Sequence, residues 1–145
     1  MEKIIKQLAI VGVAGAMTLS LGCDLEVVED LNQPSTGFAP PSLDGKIGVT
    51  TITSGTGDAA NTGSTTITFS SSTYSEVGDG VNTGNDSGTY TYTKTGPNTA
   101  TAVMNSVDSD SITASLTFTS PTSGSFSAVQ TIGDPGTQTG TFIIN

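Results

Sequence analysis

The chain contains no Arg, no His and no Trp, and it has a single Cys, at position 23. Without His there is no Ser-His-Asp or Cys-His catalytic set, and no zinc site that needs imidazole. Without Arg, and with 13 acidic residues against four Lys for a net charge of −9, nucleic acid is not expected as a partner, because phosphate binding runs on clustered cations. Proline is scarce, and three of the six lie together at positions 34, 40 and 41. Only one long apolar stretch occurs, the 14 residues from Leu8 to Leu21. What is abundant is small and polar: 26 Thr, 18 Ser and 18 Gly in 145 residues. The expectation is one modest, acidic, β-prone domain that is not an enzyme, since the usual catalytic inventory is missing.

Residues 1–22 read as a targeting segment. Lys3 and Lys6 form a charged start, and the apolar stretch after them is shorter than the about 20 residues of a spanning helix. It ends Leu19-Ser20-Leu21-Gly22-Cys23, which resembles the lipobox of bacterial lipoproteins: a small residue, then the Cys that becomes the acylated N-terminus. The family prefers Leu three positions before the Cys, where this chain has Ser20. The residues alone also fit an ordinary cleaved signal peptide followed by an incidental Cys. The resemblance implies lipid attachment, with palmitate-type chains, at Cys23 and a location in the cell envelope on a bacterial membrane. It also implies that the mature domain carries no free thiol and no disulfide, so stability comes from its core. Asp24 follows the Cys directly. In some two-membrane bacteria that residue retains lipoproteins at the inner membrane, whereas in other lineages acids after the Cys accompany surface export.

Residues 23–42 read as the lipidated N-terminus and a linker. The segment DLEVVEDLNQPSTGFAPPS has four acids, three Pro and little periodicity. A flexible coil of that length spans roughly 25 Å. Phe38 is the residue placed to dock on the domain that follows.

Residues 43–145 carry strand signals throughout, because Thr, Val, Ile, Tyr and Phe supply β-propensity and little favours helix. Eight strands are expected, at roughly 46–53, 64–70, 72–77, 87–95, 99–107, 111–119, 124–132 and 139–144. Alternation is clearest where Ile112, Ala114, Leu116 and Phe118 share one face and Thr113, Ser115, Thr117 and Thr119 the other. Phe126, Ala128 and Ile132 repeat the pattern, as do Tyr90 with Tyr92, Ile67 with Phe69, and Phe142 with Ile144. The remaining Pro residues, 97, 121 and 135, fall between strands, where no ladder hydrogen bond is lost.

Ser87-Gly88-Thr89-Tyr90, Ser123-Gly124-Ser125-Phe126 and Thr139-Gly140-Thr141-Phe142 share one form. Each Gly stands two residues before an aromatic and so on the same face. Inward Gly at a strand start lets a closing sheet bend or bulge. Parity also requires an odd connection or a bulge between Phe118 and Phe126, which Gly124 is placed to supply. Composition alone also produces such tetrapeptides in a chain this rich in Ser, Thr and Gly.

Eight strands with short connections predict an all-β fold, a small antiparallel up-and-down barrel whose closure removes both edges. The pattern is similar to the smallest calycin-like (lipocalin-like) barrels, on strand number and alternation, without the Gly-x-Trp element of that family. A β-sandwich of immunoglobulin type is the alternative, although its Cys and Trp landmarks are absent as well. About 18 bulky apolar residues are available for the interior, a number expected to fill a small barrel with side chains rather than line a roomy cavity.

In a meander, the connections 54–63, 78–86, 108–110 and 133–138 share one end. They hold Asp58, Asp79, Asp86, Asp108, Asp110 and Asp134, with Asn61, Asn82 and Asn85. The connections at the other end, Ser71, 96–98 and 120–123, carry no charge, and the tether enters there. The acidic end is therefore expected to face away from the membrane.

Clustered carboxylates are hard oxygen ligands, and Asp79, Asp86, Asp108 and Asp110 are the candidate Ca²⁺ residues. Asp108-Ser109-Asp110 lacks the Gly and distal Glu of an EF-hand, and the Glu76–Asn82 stretch misses the nonapeptide calcium repeat. Solubility alone also explains acids in loops, so no cofactor is expected. The functional expectation is a monomeric, membrane-anchored, non-catalytic binding or structural module with an unknown protein or small-molecule partner. The alternatives are a small carrier of an apolar ligand, or a hydrolase, which would need two acids converging in a concave pocket.

Overall fold

A computed structural model of the chain describes residues 37–60, 62–78, 83–132 and 135–145. Residues 1–36, which include the expected signal segment, Cys23 and most of the expected linker, therefore lie outside the described residues, as do Asn61, Asp79, Asn82 and Asp134. Eight strands follow one another: β1 (Ile47–Thr56), β2 (Gly63–Ser70), β3 (Thr73–Gly78), β4 (Asp86–Lys94), β5 (Thr99–Ser106), β6 (Ser111–Ser120), β7 (Ser123–Gln130) and β8 (Gly136–Ile144). Every strand pairs antiparallel with its sequence neighbours, and β8 pairs with β1, so the sheet is a closed up-and-down barrel. The sandwich alternative is thereby set aside. Closure leaves no unpaired edge to template association with another chain.

Two-residue alternation assigns the inside. Ile67, Phe69, Tyr74, Tyr90, Ala102, Ala114, Phe118, Ala128, Phe142 and Ile144 are buried, while the alternate positions are mostly exposed Thr and Ser. Phe69 meets Tyr90 edge-on at 5.0 Å, and Phe118 meets Phe142 in the same way, also at 5.0 Å. Such T-shaped pairs add roughly 0.5–1.5 kcal/mol each to the burial itself.

The Gly-aromatic repeats face inward, and register explains their form. Gly124 stands opposite Phe142, and Phe126 opposite Gly140, on β7 and β8; Gly88 stands opposite Tyr74 on β3. Each ring thus covers a glycine on the adjacent strand.

Three local expectations are corrected. The extra residue that restores parity between β6 and β7 is Thr119, skipped between Phe118↔Gly124 and Ser120↔Ser123; Gly124 itself is regularly paired. β7 ends at Gln130, so Ile132 turns outward and is 49% exposed while Gln130 is buried. β1 runs on to Thr56 past a bulge at Thr53, because Ser54, Gly55 and Thr56 keep pairing with β8.

The end of the barrel at which β1 begins is closed by the chain itself. Residues 37–42, expected as linker, pack on the barrel. Ala39 N–H donates to the Pro97 carbonyl (3.0 Å), and Lys94 Nζ and Tyr92 Oη donate to the Ala39 and Pro40 carbonyls (2.8 and 2.9 Å). Ala39 and Leu43 are each 3% exposed, and Leu43 stops the barrel from below. Phe38 is half-exposed; it is held through its backbone N–H, which donates to Asn98 Oδ1.

Candidate functional site

The interior is not filled. A cavity of about 480 Å³ occupies the barrel, floored by Leu43, Phe69, Phe118 and Phe142 and reaching the acidic end at Asn85, Asp108 and Asp110. This overturns the expectation of a packed interior, and the reason is a register effect. Ala102 pairs with Ala114, and Ala114 with Ala128, across β5, β6 and β7. Three inward positions in a row therefore carry only a methyl group. Leu116, Phe126, Met104 and Ile112 also point inward but are only partly buried, because they look onto that space. A volume of this size falls in the range of small-molecule pockets.

The walls change character along the axis. Near Leu43 they are aromatic and aliphatic; near the open end they carry Thr50, Thr65, Glu76, Asp86, Ser106, Gln130 and Gln138. Asp86 is not a loop residue, as the sequence pattern implied, but the first residue of β4, on the cavity wall. Tyr74 Oη donates to its Oδ2 at 2.5 Å, while Ser106 Oγ and its neighbour's backbone N–H, from Ser87, donate to Oδ1 at 2.6 and 2.7 Å. Burial first, and then the hydrogen bond to Asp86, push the Tyr74 phenol far above its usual range, so it stays a protonated donor. Tyr92, buried at the closed end, is pushed up to about 12.

Glu76 stands directly opposite Asp86 in the β3–β4 register. Burial raises its carboxyl above the ordinary 4.5; a hydrogen bond with Thr65 opposes the rise, and the nearby Asp86 charge adds to it. In the unfolded chain that carboxyl returns to its ordinary value. Its contribution to stability is therefore complete below pH 4.5 and is lost as pH rises through the higher folded-state value. Glu76→Gln is expected to melt above the native chain at pH 8, and level with it or slightly below at pH 4. Thermal unfolding of both chains across that range checks this, and a difference that does not change with pH would contradict it.

No family model, curated protein or solved structure matches this chain.

The structure separates the four calcium candidates. Asp79 lies outside the described residues. Asp108 and Asp110 are exposed on the β5–β6 turn, where Asp108 N–H is bound by Ser106 Oγ at 3.0 Å. Asp86 points inward onto donors. Among the described residues no group of three acids, His or Cys is gathered as a metal site. Sequence reasoning noted Glu76 only as part of a loop motif, yet two-residue spacing from inward Tyr74 already places it on the wall. Gln130 was missed outright; its signal was equal parity with Phe126 and Ala128. The alanine row could not be seen before the register was known, since each Ala reads alone as a small core residue.

Proposed function

We propose that the chain is a lipid-anchored protein of the bacterial cell envelope whose barrel binds a small, largely apolar molecule without transforming it. The cavity beneath the alanine row is the observation that carries this reading, because a purely structural module gains nothing from an unfilled core. Each buried methylene left out forfeits packing and transfer energy, and voids of this size are rare in interiors. The graded wall also fits a binder, with apolar surface for most of the ligand and a few polar groups at the mouth to orient it. The lipobox resemblance supports the envelope location. Residues 37–43 pack at the closed end of the barrel, and the cavity mouth lies at the opposite end.

A fluorescent apolar probe tests the reading. N-phenyl-1-naphthylamine is expected to brighten on binding the full chain at one site. Ala114→Phe, which places a ring at the centre of the alanine row, is expected to weaken that binding about tenfold or more while the melting temperature holds or rises. Equal brightening in both chains would sink the proposal.

One observation favours a second reading. Glu76 and Asp86 are two carboxyls side by side on a concave wall, and burial raises the Glu76 carboxyl above its ordinary value, as a general acid needs. Turnover of nitrophenyl glycosides that Glu76→Gln abolishes would favour that hydrolase over the binder. Binding remains the better fit because three donors already occupy the Asp86 oxygens.

A further inference from the structure

The mouth of the cavity presents hydrogen-bond acceptors without matching cations. Glu76 and Asp86 face each other across β3 and β4, and like charges placed directly opposite destabilise a sheet. The Lys residues of the described chain are Lys46 and Lys94. Lys94 Nζ is spent on the Ala39 carbonyl at the closed end, and Lys46 precedes β1 at that same end. On the far wall, four strands from β3, Gln130 is 8% exposed and lines the cavity. Its Nε2 donates to the Ile132 carbonyl at 3.3 Å, and among the described residues no hydrogen bond to its Oε1 is formed. A buried acceptor without a donor, together with a pair of opposed carboxylates, costs stability. Both costs fall on the cavity wall. Polar groups that weaken a fold at one place are characteristically those that meet a ligand.

We propose that the cavity selects amphiphiles with an apolar chain and a single ammonium head, the head lying at the mouth against Glu76 and Asp86. This rests on the binding reading above and narrows it to a ligand class. An ammonium is a compact cation with three donors, and it relieves the repulsion between the two carboxylates. Ca²⁺ suits the wall less well. It takes 6–8 oxygen ligands, whereas among the described residues no group of three acids is gathered, and the side chains of Met104, Leu116 and Phe126 on the wall offer no oxygen. The same apolar groups are what an alkyl or aryl chain would cover. A carboxylate-headed amphiphile of equal length would meet Glu76 and Asp86 as a third like charge.

Titration calorimetry of the full chain at pH 7 with decylamine, decanol and decanoate, each below its micelle concentration, tests the inference. Decylamine is expected to bind about tenfold or more tightly than decanol, and decanoate more weakly than both. Glu76→Gln is expected to remove most of the preference for amine over alcohol. Asp44→Asn removes one charge at the closed end, outside the cavity, and is expected to leave the preference intact. Equal affinity for decylamine and decanol overturns the inference and leaves the cavity reading standing. Equal losses of preference in Glu76→Gln and Asp44→Asn also overturn it, because net charge rather than the site would then attract the amine. Failure of all three ligands to bind overturns the cavity reading itself.

Discussion

Gly140→Val is expected to cost about 3 kcal/mol or more, a large share of the stability of a domain this size. A Cβ at position 140 would overlap the carbonyl oxygen of Thr51 on β1 and stand 2.8 Å from Cε1 of Phe126. The Thr51 backbone cannot yield easily. Thr51 is locked by its pairing with Thr141 on one side and Ser64 on the other, next to the bulge at Thr53. The Phe126 ring lies over Gly140 because the two are cross-strand partners. Gly124 repeats the arrangement with the roles exchanged: a Cβ there would overlap the Thr117 carbonyl and stand 2.6 Å from Cζ of Phe142. The closure of the barrel between β7, β8 and β1 therefore depends on two positions without side chains. Thr139→Val, one residue away on the outer face, is expected to change stability by no more than about 0.5 kcal/mol. Urea unfolding of the two variants beside the native chain measures the contrast. A native-like midpoint for Gly140→Val would show that the strands separate more freely at that seam than their register implies.

Cys23→Ser is expected to abolish palmitate labelling of the chain in its host and, with it, stable membrane attachment. The effect is all-or-none because of how lipid anchoring scales. Each buried methylene contributes about 0.8 kcal/mol, and two or more chains hold a protein firmly where one is marginal. The thiol of Cys23 is the only one in the chain, so no second residue can take its place. The apolar stretch before it has 14 residues, short of the about 20 that cross a bilayer, and offers little substitute. Metabolic labelling followed by membrane fractionation reads both effects. Label that persists in Cys23→Ser would end the lipoprotein proposal, yet it would leave the cavity and its ligand class untouched, because the barrel is built without residue 23.

The strands were legible in the sequence because their chemistry is local. Threonine and serine on alternate residues mark an outer face, and proline at 97, 121 and 135 marks places where no ladder bond is needed. The inward Gly-aromatic repeats were legible for the same reason, since spacing by two decides a face without knowledge of partners. Boundaries failed where pairing continued past a local signal. Thr53 bulges and lets β1 reach Thr56, and the end of pairing at Gln130 turns Ile132 outward. Residues 37–42 looked like tether by composition, yet they find hydrogen-bond partners on β4 and the β4–β5 turn and pack against the closed end of the barrel.

The sequence by itself determined the class of fold, its eight strands and the side that most strand residues face. These follow from two-residue periodicity and turn chemistry, which are properties of neighbours along the chain. The tertiary structure alone decided that Ala102, Ala114 and Ala128 stand in one row and that Glu76 meets Asp86. Both depend on register between strands, and only barrel closure sets which residues share a level inside. That is why an interior expected to be filled is hollow, and why a charge that read as a solvated loop forms part of the cavity wall.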